Sequence, residues 1–550
     1  MTVAPETLTA PRPPALYEDP DVHRRRWALL GVMCLSLVLV VMAVSSLNVA
    51  TPSMQQAMGA SATQLHWMID AYAIVFAGLL LPAGALGDRF GRKGALLVGL
   101  LVFATGLGVA GLADAPSQVI IGRGIMGAGA AFVMPATLSL ITTIFPPEER
   151  TKAIATWTGF AGAGAAVGPI MSGFLLEHFW WGATVLINLP VVALTAGAIY
   201  FLSPKSKESH LTRMDPVGAV LSITGMISLL YGIIEGGSRG WTDPFVLAGF
   251  ASAVVFLSAF IAWERRVEHP MLPVSLFADR RLSVGSGVIT LGFFCAFGLF
   301  FLSTLYMQYV LGYSTLTTGL ATLPWAVAIV IVAPRSAALG EKLGSGRVIA
   351  GGFAIIAAAF GLLTTLDVDS PYILLGAAFA LMGAGMGCVF APATGNIMAA
   401  VPLDKAGVGS AVNDTTRELG AALGVAVLGT VIGSIYRSGL DLSSSNLTSA
   451  QADEAKESIG GAVHVAGSLP DGGGALLTQA HGAFVDAFRV TNAISMAITI
   501  AVGAVVLATL RRDRPSADTA DAVDVDVDEI DLTLPVELDP AVAAADAVAR

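Results

Sequence analysis

Charge is what this chain most lacks. Only 13% of its 550 residues are Asp, Glu, Lys or Arg, while 55% are hydrophobic, a balance too apolar for the surface of a soluble protein. Cysteine is scarce too. Cys34, Cys295 and Cys388 all fall inside apolar stretches, which excludes a disulfide framework or a cysteine metal cluster and leaves packing as their role. Signatures of enzyme chemistry are missing as well: no P-loop, no H-E-x-x-H and no G-x-S-x-G stands in a suitable context, which excludes an ATP-driven pump. The net charge of −10 says little about partners, because much of the acid lies after Pro515 in "DAVDVDVDEIDLTLPVELDP", a low-complexity tail expected to be disordered.

What the chain has in abundance is apolar runs. A helix crosses a bilayer with about 20 apolar residues, and runs of that length start near Trp27, Trp67, Gly94, Ser117, Lys152, Gly182, Asp215, Pro244, Ser283, Thr318, Arg347, Pro371, Ala406 and Phe484, giving fourteen expected spans. The first follows basic residues as a signal peptide does, but it is longer than a signal core and no small-residue cleavage site follows. Lysine and arginine cluster in alternate connections: "HRRRW", "DRFGRK", "PPEERTK", "PKSKESHLTR", "ERRVEHP" with "ADRR", "EKLGSGR" and "RRDR". The loops "ADAPS", "LGYST" and "DVDS" between them carry none. The positive-inside rule then places both termini in the cytoplasm.

The chain also repeats itself. "LGDRFG" at Leu86–Gly91 returns as "LGEKLG" at Leu339–Gly344, and "PAT" at Pro135–Thr137 returns at Pro392–Thr394, each after a glycine-rich run. Both copies face the same side. The expected fold is therefore an all-α integral membrane protein of two six-helix bundles, related by an axis along the membrane normal, with two inserted helices between them. The expected divisions are a cytoplasmic segment 1–25, a first bundle 26–203, inserted helices and linkers 204–282, a second bundle 283–512 with a long outer loop 436–483, and the acidic cytoplasmic tail 513–550.

"GALGDRFGRKGAL" at Gly84–Leu96 resembles the signature loop of the major facilitator superfamily, G-x-L-x-D-R-x-G-R-K, with every key position filled. Glycines there allow a tight turn and close helix approach, and Asp88 can cap a helix N-terminus or pair with arginine. Gly84, Asp88, Arg89, Gly91 and Arg92 are thus candidates for a conformational latch between the halves; the alternative is an ordinary basic loop that only sets topology. "GAAVGPIMSG" at Gly164–Gly173 resembles the superfamily's antiporter helix, G-x-x-x-G-P-x-x-G-G, with Ser172 replacing one glycine. Gly164, Gly168, Pro169 and Gly173 are expected to bend that helix and give a smooth interface between halves, although small residues are common in membrane helices.

The fourteen spans, "VLINLPV" at Val185–Val191, "YMQYVLGYSTLTTGLATLP" at Tyr306–Pro324 and "LGAALGVAVLGTV" at Leu419–Val431 together resemble the fourteen-helix drug:proton antiporter family, over roughly Arg26 to Arg512. "WMIDAY" at Trp67–Tyr72 and the outer loop are most similar to the branch that exports quaternary ammonium compounds and dyes. The resemblance implies a secondary transporter of the bacterial inner membrane, not an enzyme, exporting lipophilic, often cationic, small molecules in exchange for protons. Its expected partners are those substrates, protons and lipid, not nucleic acid. The proton gradient drives it, and neither cofactor nor metal is expected; the working form is a monomer. A dedicated exporter of one metabolite, lipid or self-made antibiotic is the alternative, and a proton-coupled importer is disfavoured by the antiporter helix.

Ionisable groups inside a membrane are costly, about 2.5 kcal/mol or more each on insertion scales, so each is a functional candidate. Asp70 in the second span and Arg123 in the fourth lie at similar depth and could meet. Arg123, in "IIGRGIMGAGAA", matches the family's fourth-helix arginine, implicated in proton transfer; holding its own proton too tightly to carry one, it is expected to tune Asp70, the alternative being a fixed ion pair. In "NDTTREL", Asp414 and Glu418 share one helical face and form a candidate proton-or-cation site; alternatively they merely pair with Arg417 or Lys405. The family's usual first-span acid is absent, with Ala43 in its place in "MAVSSLNVATP". Tyr72, Phe301 and Trp325 are expected to line the substrate cavity, where aromatic faces hold cations.

Overall fold

The computed structural model describes residues 16–204, 215–442, 447–469 and 473–510. Most of the expected segment 1–25, most of the "PKSKESHLTR" linker, two short parts of the outer loop and the tail 513–550 lie outside the described residues. The described residues contain helices and no strand. Among the described residues, fourteen helical segments are long and apolar enough to cross a bilayer.

The first half comprises α1 (Pro20–Met58), α2 (Ala62–Phe90), α3 (Arg92–Gly111), α4 (Pro116–Ile144), α5 (Pro147–His178) and a broken sixth span, α6 (Ala183–Leu186) with α7 (Asn188–Leu202). The inserted pair is α8 (Pro216–Arg239) and α9 (Pro244–Glu264). The second half runs through α10 (Arg280–Leu305), α11 (Thr315–Ala321) with α12 (Leu323–Leu343), α13 (Ser345–Leu363), α14 (Tyr372–Ala400), α15 (Ala406–Gly439), two short helices α16 (Ser449–Glu457) and α17 (Ile459–Ser468), and α18 (Gly474–Leu510). The last helix begins before the apolar run at Phe484, because Leu476 and Ala480 already bury a face there.

Helix starts follow from local chemistry. Pro20, Pro116, Pro147, Pro216 and Pro244 stand in first turns, where a missing N–H costs nothing. Asp19, Asp215 and Asp243 cap their helices, and Ser61 with Gln64 forms a capping box on α2. The repeated sequence is a repeated turn. Gly91 and Gly344 both adopt positive φ, 103° and 89°, a conformation that favours glycine, and their N–H groups donate to Gly87 O at 3.1 Å and Gly340 O at 2.8 Å. Each turn joins one long span to the next at the face bearing the Lys/Arg-rich connections, hereafter the basic face.

The repeat extends to packing. Helix α1 lies on α5 as α10 lies on α15, and α3 on α4 as α13 on α14. A Cβ on Gly129 would stand 2.7 Å from Gly99 O, and one on Gly385 would stand 2.8 Å from Gly352 O, so both helix pairs approach backbone to backbone. The halves meet where α2 packs on α15 and where α5 packs on α11 and α12.

The inserted pair is more than a spacer. Helix α8 packs on α2 of the first half and α15 of the second. Leu230 clusters with Ile74 and Ala77 of α2, Trp67 stacks on Tyr231 with centroids 6.4 Å apart, and Trp241 Nε1 donates to Thr430 Oγ1 of α15 at 3.1 Å. The insertion therefore covers the α2–α15 seam. At the face opposite the basic one, the outer loop folds into α16 and α17, which bury Ala455, Ile459, Ala462 and Val465; Tyr436 Oη of α15 donates to Ala455 O at 3.0 Å.

Candidate functional site

The last turn of α2 meets the first turn of α15 at the basic face. Asp88 Oδ1 accepts a hydrogen bond from Gly407 N at 2.9 Å and Oδ2 accepts one from Val408 N at 3.1 Å. Those N–H groups have no partner within α15, and no side chain of its own segment caps that helix. Arg92 closes the cluster: Nε and Nη2 donate to Asp88 Oδ1 at 3.1 and 3.0 Å, and Nη2 donates also to Leu403 O at 2.7 Å. A carboxylate of one half thus caps a helix of the other, with the helix dipole and a buried guanidinium both favouring its charge. Helix α3, which directly follows the motif, takes no side-chain cap. Gly84 lets the helices touch, and Gly91 turns the chain so that Arg92 faces back to Asp88. Arg89 lies with its guanidinium 5.2 Å over the Phe90 ring.

Arg123, on α4, is 1% exposed. It does not form an ion pair with Asp70. Instead Nε donates to Met68 O at 3.0 Å and Nη2 to Ile69 O at 3.3 Å, with the guanidinium 4.6 Å over the Tyr72 ring. The arginine therefore binds the backbone of α2, where two carbonyls already engaged in the helix ladder still have lone pairs to offer. Asp70 is half-buried on the side of α2 that meets α8, within electrostatic reach of both Glu235 and Arg123. Glu235 is paired with Arg239 on α8.

Asp414 on α15 is 1% exposed. Its Oδ1 lies 3.4 Å from Arg417 Nη1 and accepts from Asn413 Nδ2 at 3.3 Å; Asn413 Oδ1 in turn accepts from Thr394 Oγ1 of α14 at 3.0 Å. The Arg417 guanidinium lies 4.8 Å from the Phe293 ring centroid and 5.8 Å from that of Trp157, bridging α10 of its own half and α5 of the other. Glu418, one turn beyond Asp414, makes neither an ion pair nor a hydrogen bond among the described residues. The Asp414–Arg417 pairing is present; a pairing with Lys405 is not.

The antiporter-like helix divides its small residues between two neighbours. A Cβ on Gly164 would stand 3.1 Å from Val38 Cα, and one on Gly168 would stand 2.8 Å from Met42 O, so both glycines pack on α1 of their own half and not between halves as expected. The contact across the seam is made by Pro169, 3.1 Å from a Cβ built on Gly319, and by Gly173 against Leu316, with Gly159 and Gly162 against α12. Gly164 and Gly168 meet the α1 backbone, whereas Gly162 and Gly173 meet the side chains of Ile329 and Leu316 and Gly159 reaches the α12 backbone only at ordinary contact distance, 3.4 Å from Val330 Cα.

The three expected lining aromatics do not form one cluster. Tyr72 is 3% exposed, held between Arg123 and Phe76. Trp325 is buried too, with Nε1 donating to Met386 Sδ at 3.2 Å and its ring edge-on to Phe300. Phe301 is half-buried beside Gly429 of α15.

The sequence from residue 33 to 425 matches the Major Facilitator Superfamily. The chain belongs to that superfamily. It is similar to the multidrug efflux pump LfrA of Mycolicibacterium smegmatis, 34% identical over 490 residues that cover 89% of this chain and 97% of that protein. A puromycin resistance protein of Streptomyces alboniger is 36% identical, covering 78% of this chain and 86% of that one. The tetracenomycin C resistance and export protein of Streptomyces glaucescens is 30% identical, covering 92% and 96%. Among solved structures, the human organic anion transporter MFSD10 superposes with a TM-score of 0.57 at 16% identity, covering 87% of this chain and 99% of that one, which shows a common fold.

This facilitator-superfamily chain is thus a multi-pass membrane transporter and not an enzyme. Two features of its interior escape motif reading. The partners that Asp88 finds in the other half, Gly407 and Val408, lie more than 300 positions away; the small-residue run "AGVGSA" at 406–411 is their only trace. Glu235 is an acid inside an apolar span, a signal available by the same reasoning that singled out Asp70. It lies in the inserted helices, which fall outside the repeat.

Proposed function

We propose that this transporter exports lipophilic, often cationic, small molecules across the bacterial inner membrane in exchange for protons, by alternating access of two halves spanning 26–203 and 283–512. One observation carries the reading. Asp414 and Glu418 stand one turn apart on α15, inside the bundle, with a single arginine ion-paired beside them. Such carboxylates are costly to leave charged in an apolar surrounding, so a proton and an organic cation can compete for the same negative charge. The names of similar proteins, among them a multidrug efflux pump and a methyl viologen resistance protein of Salmonella typhimurium, point to the same substrate class.

In this reading the basic face is cytoplasmic, as are both termini, and Asp88 with Arg92 holds that face closed until substrate or proton shifts the balance. No bound cofactor is needed, because the proton gradient supplies the work, and a monomer contains the whole machinery. Export of a single antibiotic is the second reading, favoured by the resistance proteins of two Streptomyces species.

The test is ethidium or quaternary-ammonium transport in proteoliposomes under an imposed pH gradient, with Asp70→Asn and Asp414→Asn beside the intact protein. Gradient-dependent accumulation abolished by either substitution is the expected result. A folded protein that moves neither dye nor quaternary ammonium, yet moves one antibiotic of the puromycin or tetracenomycin type, favours the dedicated exporter.

A further inference from the structure

The two ends of the inserted hairpin meet at the basic face, and an acid from each end faces the other. Glu264, the last residue of α9, is 3% exposed. Its Oε2 accepts a hydrogen bond from Leu272 N at 3.0 Å, while Oε1 is buried and has no partner among the described residues. A Cβ built on Gly218 of α8 would stand 2.6 Å from that Oε1 and 2.3 Å from Asp215 Oδ2. The two oxygens are therefore less than about 5 Å apart, on either side of a glycine that leaves no room for a side chain.

The hydrogen-bond inventory says what the contact lacks. Gly218 N donates to Asp215 Oδ1 at 2.8 Å, and Trp263 Nε1 donates to Oδ1 and Oδ2 at 2.9 and 3.0 Å, so the Asp215 carboxyl acts as an acceptor at both oxygens. Glu264 Oε1 thus faces an acceptor and finds no donor, an arrangement that costs free energy and calls for a reason. Two ionised carboxylates this close would also repel. One proton removes both costs, because a carboxylic acid supplies the O–H donor that is missing. A metal ion would ask for more ligands, and no group of three or more His, Cys, Asp or Glu that could hold one occurs among the described residues. Besides Asp215, the charged group within electrostatic reach of Glu264 is Lys405 at the foot of α15. Lys405 pairs with neither acid among the described residues.

We infer that Glu264 and Asp215 hold one proton between them, as a Glu264 O–H donated to Asp215, and that this proton clasps the basic end of the inserted hairpin. The clasp joins the start of α8, the end of α9 and the chain that returns at Leu272. Because α8 packs on both α2 and α15, the clasp makes the cover of that seam answer to pH at the basic face. Loss of the proton sets two like charges against each other and loosens the hairpin end. The device is separate from the carboxylates of α15 and does not depend on what the transporter carries.

The test is a pH titration of the protonated-carboxyl C=O band by infrared difference spectroscopy on the purified full chain. Glu264→Gln assigns the band by deleting it, and its amide can still donate to Asp215 and accept from Leu272 N, so folding is not at stake. Asp215→Asn keeps a cap on α8 and offers Glu264 an N–H donor in place of an acceptor. The expected result is a Glu264 band that titrates between about pH 5 and pH 9 and whose midpoint falls by about one unit or more in Asp215→Asn. A band absent across that range overturns the inference, and so does a midpoint unmoved in Asp215→Asn, which means that burial alone keeps the proton. Amide hydrogen exchange reads the clasp. At about pH 9 the backbone at 216–222 and 265–272 is expected to exchange faster in the intact chain than in Glu264→Gln, with equal rates at about pH 6; equal rates at both values overturn the clasp.

Discussion

Gly84 of α2 and Gly407 of α15 touch backbone to backbone across the seam between the halves. A Cβ on Gly84 would lie 2.5 Å from Gly407 O, and a Cβ on Gly407 would lie 2.6 Å from Gly84 O. Neither backbone can yield without moving its helix, so any side chain here pries the basic face apart. Gly84→Val is expected to lower gradient-driven transport about tenfold, since overpacking of this kind costs about 1–3 kcal/mol. Gly31→Ala, where a Cβ meets nothing within 4 Å, serves as the control and is expected to transport normally. The measurement is dye flux in proteoliposomes at matched protein content.

The same contact brings Asp88 to the α15 N-terminus, and its charge is shared between that cap and Arg92. Asp88→Asn keeps an acceptor for the cap but leaves the Arg92 guanidinium buried without a counter-charge. Breaking a buried pair on one side costs about 3–5 kcal/mol, more than loss of a cap alone, about 1 kcal/mol. The single variant is therefore expected to lower the thermal midpoint clearly, and Asp88→Asn with Arg92→Gln to recover part of it. A double-mutant cycle on the purified protein measures the coupling; additive losses contradict a shared charge.

Much of this architecture can be read from sequence, for physical reasons. Span count follows from the length of apolar runs, and the two-half plan from "LGDRFG" and "LGEKLG", whose glycines are fixed by positive φ at Gly91 and Gly344. Partners across the seam are a different matter. Asp88 advertises a need for N–H donors, but nothing local says that Gly407 and Val408 answer it. Arg123 and Asp70 share a depth, which suggested a pair, yet backbone carbonyls of α2 took the guanidinium instead. Depth along a helix is legible from residue number; the side of the helix is settled by which neighbour packs there, and the glycines of α5 show the same, with Gly164 and Gly168 turned to α1.

The inserted hairpin makes its own prediction. Helix α8 lies on both halves at the seam, and the turn that follows it adds to the hairpin's hold on α15 through the Trp241–Thr430 hydrogen bond at 3.1 Å. Trp241→Phe keeps an aromatic ring over Gly236 and Phe250 while deleting the bond, worth about 1 kcal/mol. A contact that must break as the outer side opens slows opening, so this variant is expected to populate the outward-open state more. A cysteine at Gly433 of α15, where a Cβ meets nothing within 4 Å, placed in a background with Cys34, Cys295 and Cys388 replaced by Ser and tested with a membrane-impermeant thiol reagent in the presence and absence of Trp241→Phe, reports it. Unchanged labelling means that the hairpin travels with α15 throughout the cycle.

The exchange itself is open to direct measurement without a membrane gradient. If an organic cation and a proton compete for the carboxylates of α15, binding of tetraphenylphosphonium to the purified protein in weak buffer must release protons to solution. Release is expected near neutral pH and to vanish in Glu418→Gln, because linkage requires the group that binds the cation to be the group that loses the proton. Arg417 distinguishes this from a general electrostatic effect. Its guanidinium is anchored over Phe293 and paired with Asp414, so Arg417→Lys retains the charge and loses the planar stacking. That variant is expected to bind tetraphenylphosphonium more weakly yet still to release protons on saturation, whereas Glu418→Gln is expected to release none at any concentration. Proton release that survives in Glu418→Gln and disappears in Asp70→Asn moves the coupling site to the α2–α8 contact, where Glu235 is the neighbouring acid.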